Sequence, residues 1–90
     1  MSVTVNIPTI LRPLTQDRKR IEGTGQNVLE IIDSIDQQYP GIKEKVVADN
    51  QVHRFINIYV NDDDIRFSEG LSTPLKAGDS MTILPSVAGG

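Results

Sequence analysis

The 90-residue sequence predicts an α+β fold, a mixed sheet of four or five strands with one main helix packed on one face. Three observations predict it. Val28, Ile31, Ile32, Ile35 and Tyr39 recur at helical period and make one apolar stripe. Several short runs alternate apolar and polar residues at a period of two, as strands do. The order of these runs around the helix is β-β-α-β-β-β, and neither a helix nor a sheet can bury its apolar face alone.

The first strand is read from Val3, Val5 and Ile7, which alternate with Ser2, Thr4 and Asn6. Pro8 and Pro13 bracket a turn-like segment. Arg18 to Glu22 reads as a second strand with Ile21 inward, its end punctuated by Gly23 and Gly25. The two runs make an N-terminal hairpin with a long, irregular connection.

The helix follows, with Thr24 or Gln26 as its N-cap. Glu30 suits the positive end of the helix dipole, while Asp33 and Asp36 look solvated. Pro40-Gly41 ends the helix, Ile42 to Ala48 reads as a short second helical turn, and Asp49-Asn50-Gln51 as loop. Phe55 to Asn61 is the strongest strand signal: Ile56, Ile58 and Val60 face one way, Phe55, Asn57 and Tyr59 the other. Asn61-Asp62-Asp63-Asp64 is turn chemistry, because short polar side chains bond their own backbone. Ile65-Arg66-Phe67 reads as a short edge strand, Leu71 to Ala77 as a connector, and Ala77-Gly78-Asp79-Ser80 as a tight turn. Met81 and Ile83 point inward along the last strand, which Pro85 stops. Setting the first and last strands side by side at the centre gives the β-grasp, or ubiquitin-like, arrangement.

Composition narrows the function classes. One small domain buries only a modest core and has no room for a large internal active site. Net charge is −3, and only Arg18-Lys19-Arg20 cluster among nine basic residues. With two Phe and two Tyr beside an acidic balance, the chain lacks the basic stripe and aromatic platforms of a nucleic-acid binder. There is no cysteine, which excludes disulfides, thiolate metal sites and a cysteine persulfide as a sulfur store. No apolar 18-residue run or signal segment is read, so no membrane partner is expected, and the default location is cytoplasmic. A monomer is expected when the chain is free.

The chain stops on Val87-Ala88-Gly89-Gly90. Glycine lacks Cβ, so this end predicts a thin, flexible tip that enters a narrow channel and presents its carboxylate to another protein. A frayed end reads the same way, and the body upstream has to decide. Residues 1–86 are therefore expected to form the domain and residues 87–90 the tail.

The body decides by resemblance. The Val3-Thr4-Val5-Asn6-Ile7 strand, the helix start at Asn27-Val28-Leu29, Tyr59-Val60-Asn61, the Gly78-Asp79 turn and the Ile83-Leu84-Pro85-Ser86 run into Gly89-Gly90 resemble the ThiS/MoaD ubiquitin-like sulfur carriers over nearly the whole chain. Pro8 to Pro13 and His53 to Asp62 look most like the cysteine-biosynthesis branch of that family, the CysO-type carriers. The resemblance implies a carrier, not an enzyme. It implies an E1-like adenylating enzyme that uses ATP and Mg²⁺ on the Gly90 carboxylate. Sulfur then displaces AMP and leaves a thiocarboxylate. It further implies a PLP-dependent cysteine synthase as acceptor and a metalloprotease that releases the product. No cofactor is expected on the chain itself. Molybdopterin or thiamine sulfur transfer is the alternative within the family. A modifier conjugated through Gly90, or a binding module with an inert tail, is the alternative outside it.

Under this reading Val87, Ala88 and Gly89 line the partner's channel. Leu84, Phe55 and Tyr59 form an apolar partner surface beside the tail if the third and fifth strands are neighbours, with Arg54 and Arg66 framing it. Isolated surface apolars, or a covering loop, would give the same pattern. His53 stands alone, without a second histidine, a cysteine or a paired nucleophile. Asp62-Asp63-Asp64 lacks the spacing of a calcium loop, so a hydrated turn is expected and no metal. Gly78-Asp79 is a turn rather than a phosphate loop, and Ser68, Ser72 and Ser86 have no base near them in sequence.

Overall fold

The computed structural model describes residues 2–86. Strands β1 (Ser2–Asn6) and β2 (Arg20–Thr24) pair antiparallel as the expected hairpin. Helix α1 (Val28–Gln38) follows, then a short helix α2 (Ile42–Val46) and a small hairpin of β3 (Val47–Ala48) and β4 (Gln51–Val52). Strand β5 (Ile56–Val60), the two-residue β6 (Asp63–Asp64) and β7 (Ser80–Pro85) complete a five-stranded sheet in the order β2-β1-β7-β5-β6. β1 and β7 lie parallel at its centre, and every other neighbouring pair is antiparallel. This is the β-grasp arrangement.

The core forms between the sheet and α1. Val3 and Val5 from β1, Ile58 from β5 and Met81 and Ile83 from β7 are buried against Val28, Ile31, Ile32 and Ile35. Full burial of one such side chain contributes about 1.5–3 kcal/mol, so these positions dominate stability. Gly23 lies inside β2, not at its end, and is buried under α1. A Cβ there would come within 2.9 Å of the Ile31 Cγ2 and 3.1 Å of the Ile35 Cγ2. Its missing side chain lets helix and sheet approach.

The helix N-cap is Asn27, neither Thr24 nor Gln26. Its side-chain oxygen accepts the Glu30 N–H at 2.9 Å, and the Glu30 carboxylate reaches back to accept the Gln26 N–H at 2.9 Å. Two otherwise unpaired donors are satisfied, close to a capping box. Asp36 is more than a solvated charge. Its Oδ1 accepts the N–H groups of Gly41 and Lys43, each at 3.1 Å, and so ties the end of α1 to the start of α2. Asp33 forms an ion pair with Lys43.

The free edge of β2 is covered by α1. Gln38 Nε2 donates to the Glu22 carbonyl at 2.9 Å, and the Thr24 N–H donates to Ser34 Oγ at 3.0 Å. Side chains thus satisfy backbone groups that would otherwise invite another strand.

Three other expectations are corrected. Ile65–Phe67 is a 3-10 turn, not a strand: Asp64 Oδ1 accepts the Arg66 N–H at 2.9 Å and winds the chain, and the edge strand is Asp63–Asp64 instead. Asp49 and Asn50 have φ of 52° and 65°, the left-handed pair of a two-residue hairpin loop, so Gln51 belongs to β4 rather than to the loop. The turn into β7 begins one residue earlier than expected, at Lys76. The Asp79 N–H donates to the Lys76 carbonyl, and Gly78 takes the positive φ of 91°.

Candidate functional site

The site is built where β7 ends. Its outward side chains are Ser80, Thr82 and Leu84, alternating with buried Met81 and Ile83. β5 pairs with it at Asn57↔Leu84 and Tyr59↔Thr82, so the third and fifth strands expected from the sequence are neighbours. Leu84 is 42% exposed. Leu84, Thr82 and half-buried Tyr59 line one shallow depression on the open face of the sheet.

Phe55 does not join that depression. It precedes β5 and is 45% exposed. Its ring lies 5.4 Å from that of His53, and the Arg54 guanidinium carbon is 4.8 Å from the Phe55 ring centre, a cation–π distance. It lines a separate groove of about 560 Å³ with Ile10, Leu14 and His53, between the β1–β2 connection and α2. Sequence alternation placed Phe55 on the Tyr59 face. The Phe55 N–H donates to the His53 Nδ1 at 3.2 Å, and the ring packs beside that imidazole instead.

Arg66 lies beside Tyr59, at the edge of the patch, and is paired. Its Nη2 lies 2.9 Å from Asp64 Oδ2, and its Nε is within reach of both carboxylate oxygens. This bond holds the Asp64 carboxyl below its ordinary value against the opposing effect of burial, and raises Arg66. Asp79 is likewise lowered, first by the N–H that Lys76 donates at 3.0 Å and also by the Asn61 amide. His53, Ser68, Ser72 and Ser86 are not brought together with one another by any hydrogen bond among the described residues. No cluster of three or more potential metal ligands occurs among the described residues, and no helix there is long and apolar enough to cross a membrane.

Ile10, 60% exposed, lies between the Phe55 groove and a second one beside Leu84 and Pro85. No sequence signal marked Ile10, because its place depends on how the β1–β2 connection folds back. Exposed apolar side chains thus surround the end of β7. The expected tail residues Val87, Ala88, Gly89 and Gly90 lie outside the described residues.

Comparison with known proteins agrees with this geometry. Residues 5–90 match the model of the ThiS family. The chain is 50% identical to the sulfur carrier protein CysO of Mycobacterium tuberculosis over 93 aligned positions, spanning all of both chains. It superposes on a crystal structure of that CysO with a TM-score of 0.92 at 48% identity, covering 94% of this chain and 99% of the other. It superposes equally, at 0.92 and 56% identity, on a chain of the Amycolatopsis orientalis BexX/CysO complex, covering 98% of this chain and 99% of that one. The chain belongs to the ThiS family.

Proposed function

We propose that this chain is a sulfur carrier for cysteine biosynthesis whose working atom is the carboxyl carbon of Gly90. The observation that supports this most is the full-length identity of 50% to a sulfur carrier protein CysO. The chain is a carrier and not an enzyme: the chemistry belongs to partners, and the folded body is what they hold.

A carboxylate is a poor electrophile, since its charge is delocalised and its oxygen leaves badly. An E1-like partner, using ATP and Mg²⁺, joins the Gly90 carboxylate oxygen to AMP and releases pyrophosphate. A sulfur nucleophile then attacks the carbon, the C–O bond to AMP breaks, and a thiocarboxylate remains. That group is a soft nucleophile, which a PLP-dependent cysteine synthase uses against an activated serine derivative. Acyl transfer to the amine and cleavage by a metalloprotease return the Gly90 carboxylate and release cysteine. Val87, Ala88 and Gly89 pass through the partners' channels. Leu84, Tyr59 and the Arg54–Phe55 pair supply contacts on the body. The setting is the cytoplasm, where ATP is at hand.

Intact-mass measurement tests the reading. The protein is incubated with ATP, Mg²⁺, a sulfide source and an activating enzyme of this family. A gain equal to replacing one oxygen by sulfur is expected, and deletion of Gly90 is expected to abolish sulfur delivery without altering thermal unfolding. Sulfur transfer by the truncated protein would overturn the assignment, as would covalent ladders on target proteins in place of the mass gain.

A further inference from the structure

β7 outruns its central neighbour. β1 pairs with it at Thr4↔Ser80, Val5↔Met81 and Asn6↔Thr82 and then stops, while β7 continues to Pro85. The space left beside Ile83, Leu84 and Pro85 is a groove of about 520 Å³. Pro8, Thr9 and Ile10 wall its other side.

Its electrostatics run against the rest of the chain. Net charge is −3, yet Arg12, Lys19 and Arg20 all line this groove and no carboxylate does. No carboxylate among the described residues pairs with any of the three. Each is fixed by the two residues where β1 ends. Arg12 Nε donates to the Ile7 carbonyl at 3.2 Å, which leaves the far side of its guanidinium open. The Ile7 N–H donates to the Lys19 carbonyl at 2.8 Å, and Arg20 lies opposite Asn6 in the β1–β2 ladder. The chain between Arg12 and Lys19 is cross-braced by a buried hydroxyl. The buried Thr15 hydroxyl lies 3.3 Å from the Arg12 carbonyl and 3.0 Å from that of Arg18.

The groove also refuses an added strand. Pro85 has no N–H to offer on the edge that β1 leaves open, so an incoming segment cannot continue the ladder through it. The groove therefore offers an occupant mainly side chains, with charge on the Arg12–Lys19–Arg20 side and apolar contact at Leu84 and Ile10.

We infer that this groove docks an extended acidic segment of a partner protein, carboxylates facing Arg12, Lys19 and Arg20 and an apolar side chain seated on Leu84. Such contacts raise the rate of encounter and select among partners more than they deepen affinity. The surface adjoins the end of β7, the strand that residues 87–90 follow in sequence. The inference concerns binding by the body and does not depend on what the tail carries.

The test uses the full chain, uniformly labelled with ¹⁵N and free of any sulfur loading. The probe is the blocked peptide acetyl-Glu-Leu-Glu-Asp-Leu-Glu-amide, with its Gln/Asn analogue as the uncharged control. Amide signals of Asn6, Ile10, Arg20 and Thr82 are expected to move with the acidic peptide and to stay still with the control. Raising NaCl from about 50 to 300 mM should weaken binding several-fold, as expected for exposed charges. Lys19→Glu combined with Arg20→Glu, both exposed, should weaken it about tenfold or more with thermal unfolding unchanged. Equal binding of the control overturns the inference, as do shifts centred on the Phe55 groove. Identical shifts produced by inorganic pyrophosphate at the same concentration also overturn it, since they would mark a small-anion site. Tighter competition by a single-stranded oligonucleotide would do so as well.

Discussion

Ser86 donates its backbone N–H to the Phe55 carbonyl at 2.7 Å, one residue past the end of β7. The bond extends the β5–β7 ladder beyond Ile56↔Pro85, so the sheet holds the chain until its last described residue. The point from which residues 87–90 depart is therefore fixed relative to Leu84, to the Arg54–Phe55 pair and to the basic groove. Under the proposed function, contacts that partners make on the body are therefore held at a fixed place relative to where the described chain ends.

Leu84→Asp should weaken binding to the activating partner while leaving the fold almost untouched. Leu84 is 42% exposed, sits opposite Asn57 in the ladder and lines only open surface depressions, so the substitution removes surface contact rather than core. The expected stability change is within about 1 kcal/mol, and the expected loss of partner affinity is about tenfold. Thermal unfolding and a binding titration check the two halves. A large stability loss with unchanged affinity would make Leu84 a packing residue and remove it from the partner surface.

Gly23→Ala should destabilise the protein by about 1–3 kcal/mol through overpacking. The added methyl would stand 2.9 Å from the Ile31 Cγ2 and 3.3 Å from the Ile31 carbonyl oxygen, and the carbonyl cannot rotate away. Urea unfolding measures it. A neutral result would mean that α1 moves off the sheet without loss, contrary to the close packing of Ile31 and Ile35.

Where the chain repeats a period, its structure was legible. Ile56, Ile58 and Val60 are buried on one side of β5, and Val28, Ile31, Ile32 and Ile35 form the buried face of α1, because burial of one face imposes these spacings. The central pairing of the first and last strands was expected from the β-grasp arrangement, and the structure makes β1 and β7 parallel. Short segments failed for a physical reason. Ile65-Arg66-Phe67 alternates like a strand, but a single hydrogen bond from its amide to Asp64 outweighs three residues of pattern. Phe55 keeps its backbone in the ladder through Ser86, but its ring turns to His53 and Arg54 and not to the Tyr59–Leu84 depression. The basic groove was illegible: Arg12 is distant in sequence from Lys19 and Arg20, and only the end of β1 at Asn6–Ile7 brings the three together. The apolar Leu84 was readable, while Ile10 needed the folded connection.

Asn27→Ala should cost about 1 kcal/mol, since it removes the acceptor for the Glu30 N–H at the first turn of α1. Asn27→Ser keeps a capping oxygen and should recover most of the loss. Chemical denaturation of the two variants beside the parent decides it. No loss in either variant would show that the bond from Gln26 to the Glu30 side chain, and not Asn27, fixes the helix start.

Acid should unfold this protein partly through Asp64 and Asp79. Both carboxyls are held below the ordinary 3.8, Asp64 chiefly by its bonds from Arg66 and Asp79 chiefly by the Lys76 N–H. A depressed folded value means that the unfolded chain takes up the proton first. The stabilisation is complete above the unfolded value and fades as pH falls through the lower folded one. Asp64→Asn and Asp79→Asn remove the titrating groups, and the asparagine oxygen at residue 79 still accepts from Lys76. Each variant should start less stable at neutral pH and lose less on acidification from about pH 5 to pH 2. The effect should be larger for Asp64, whose side chain is only 8% exposed, than for open Asp79, where solvent screens the charge. Urea midpoints across that range measure it. An acid limb equally steep in the Asp64→Asn variant and the parent would show that the Arg66 pair contributes nothing to holding the β6 turn.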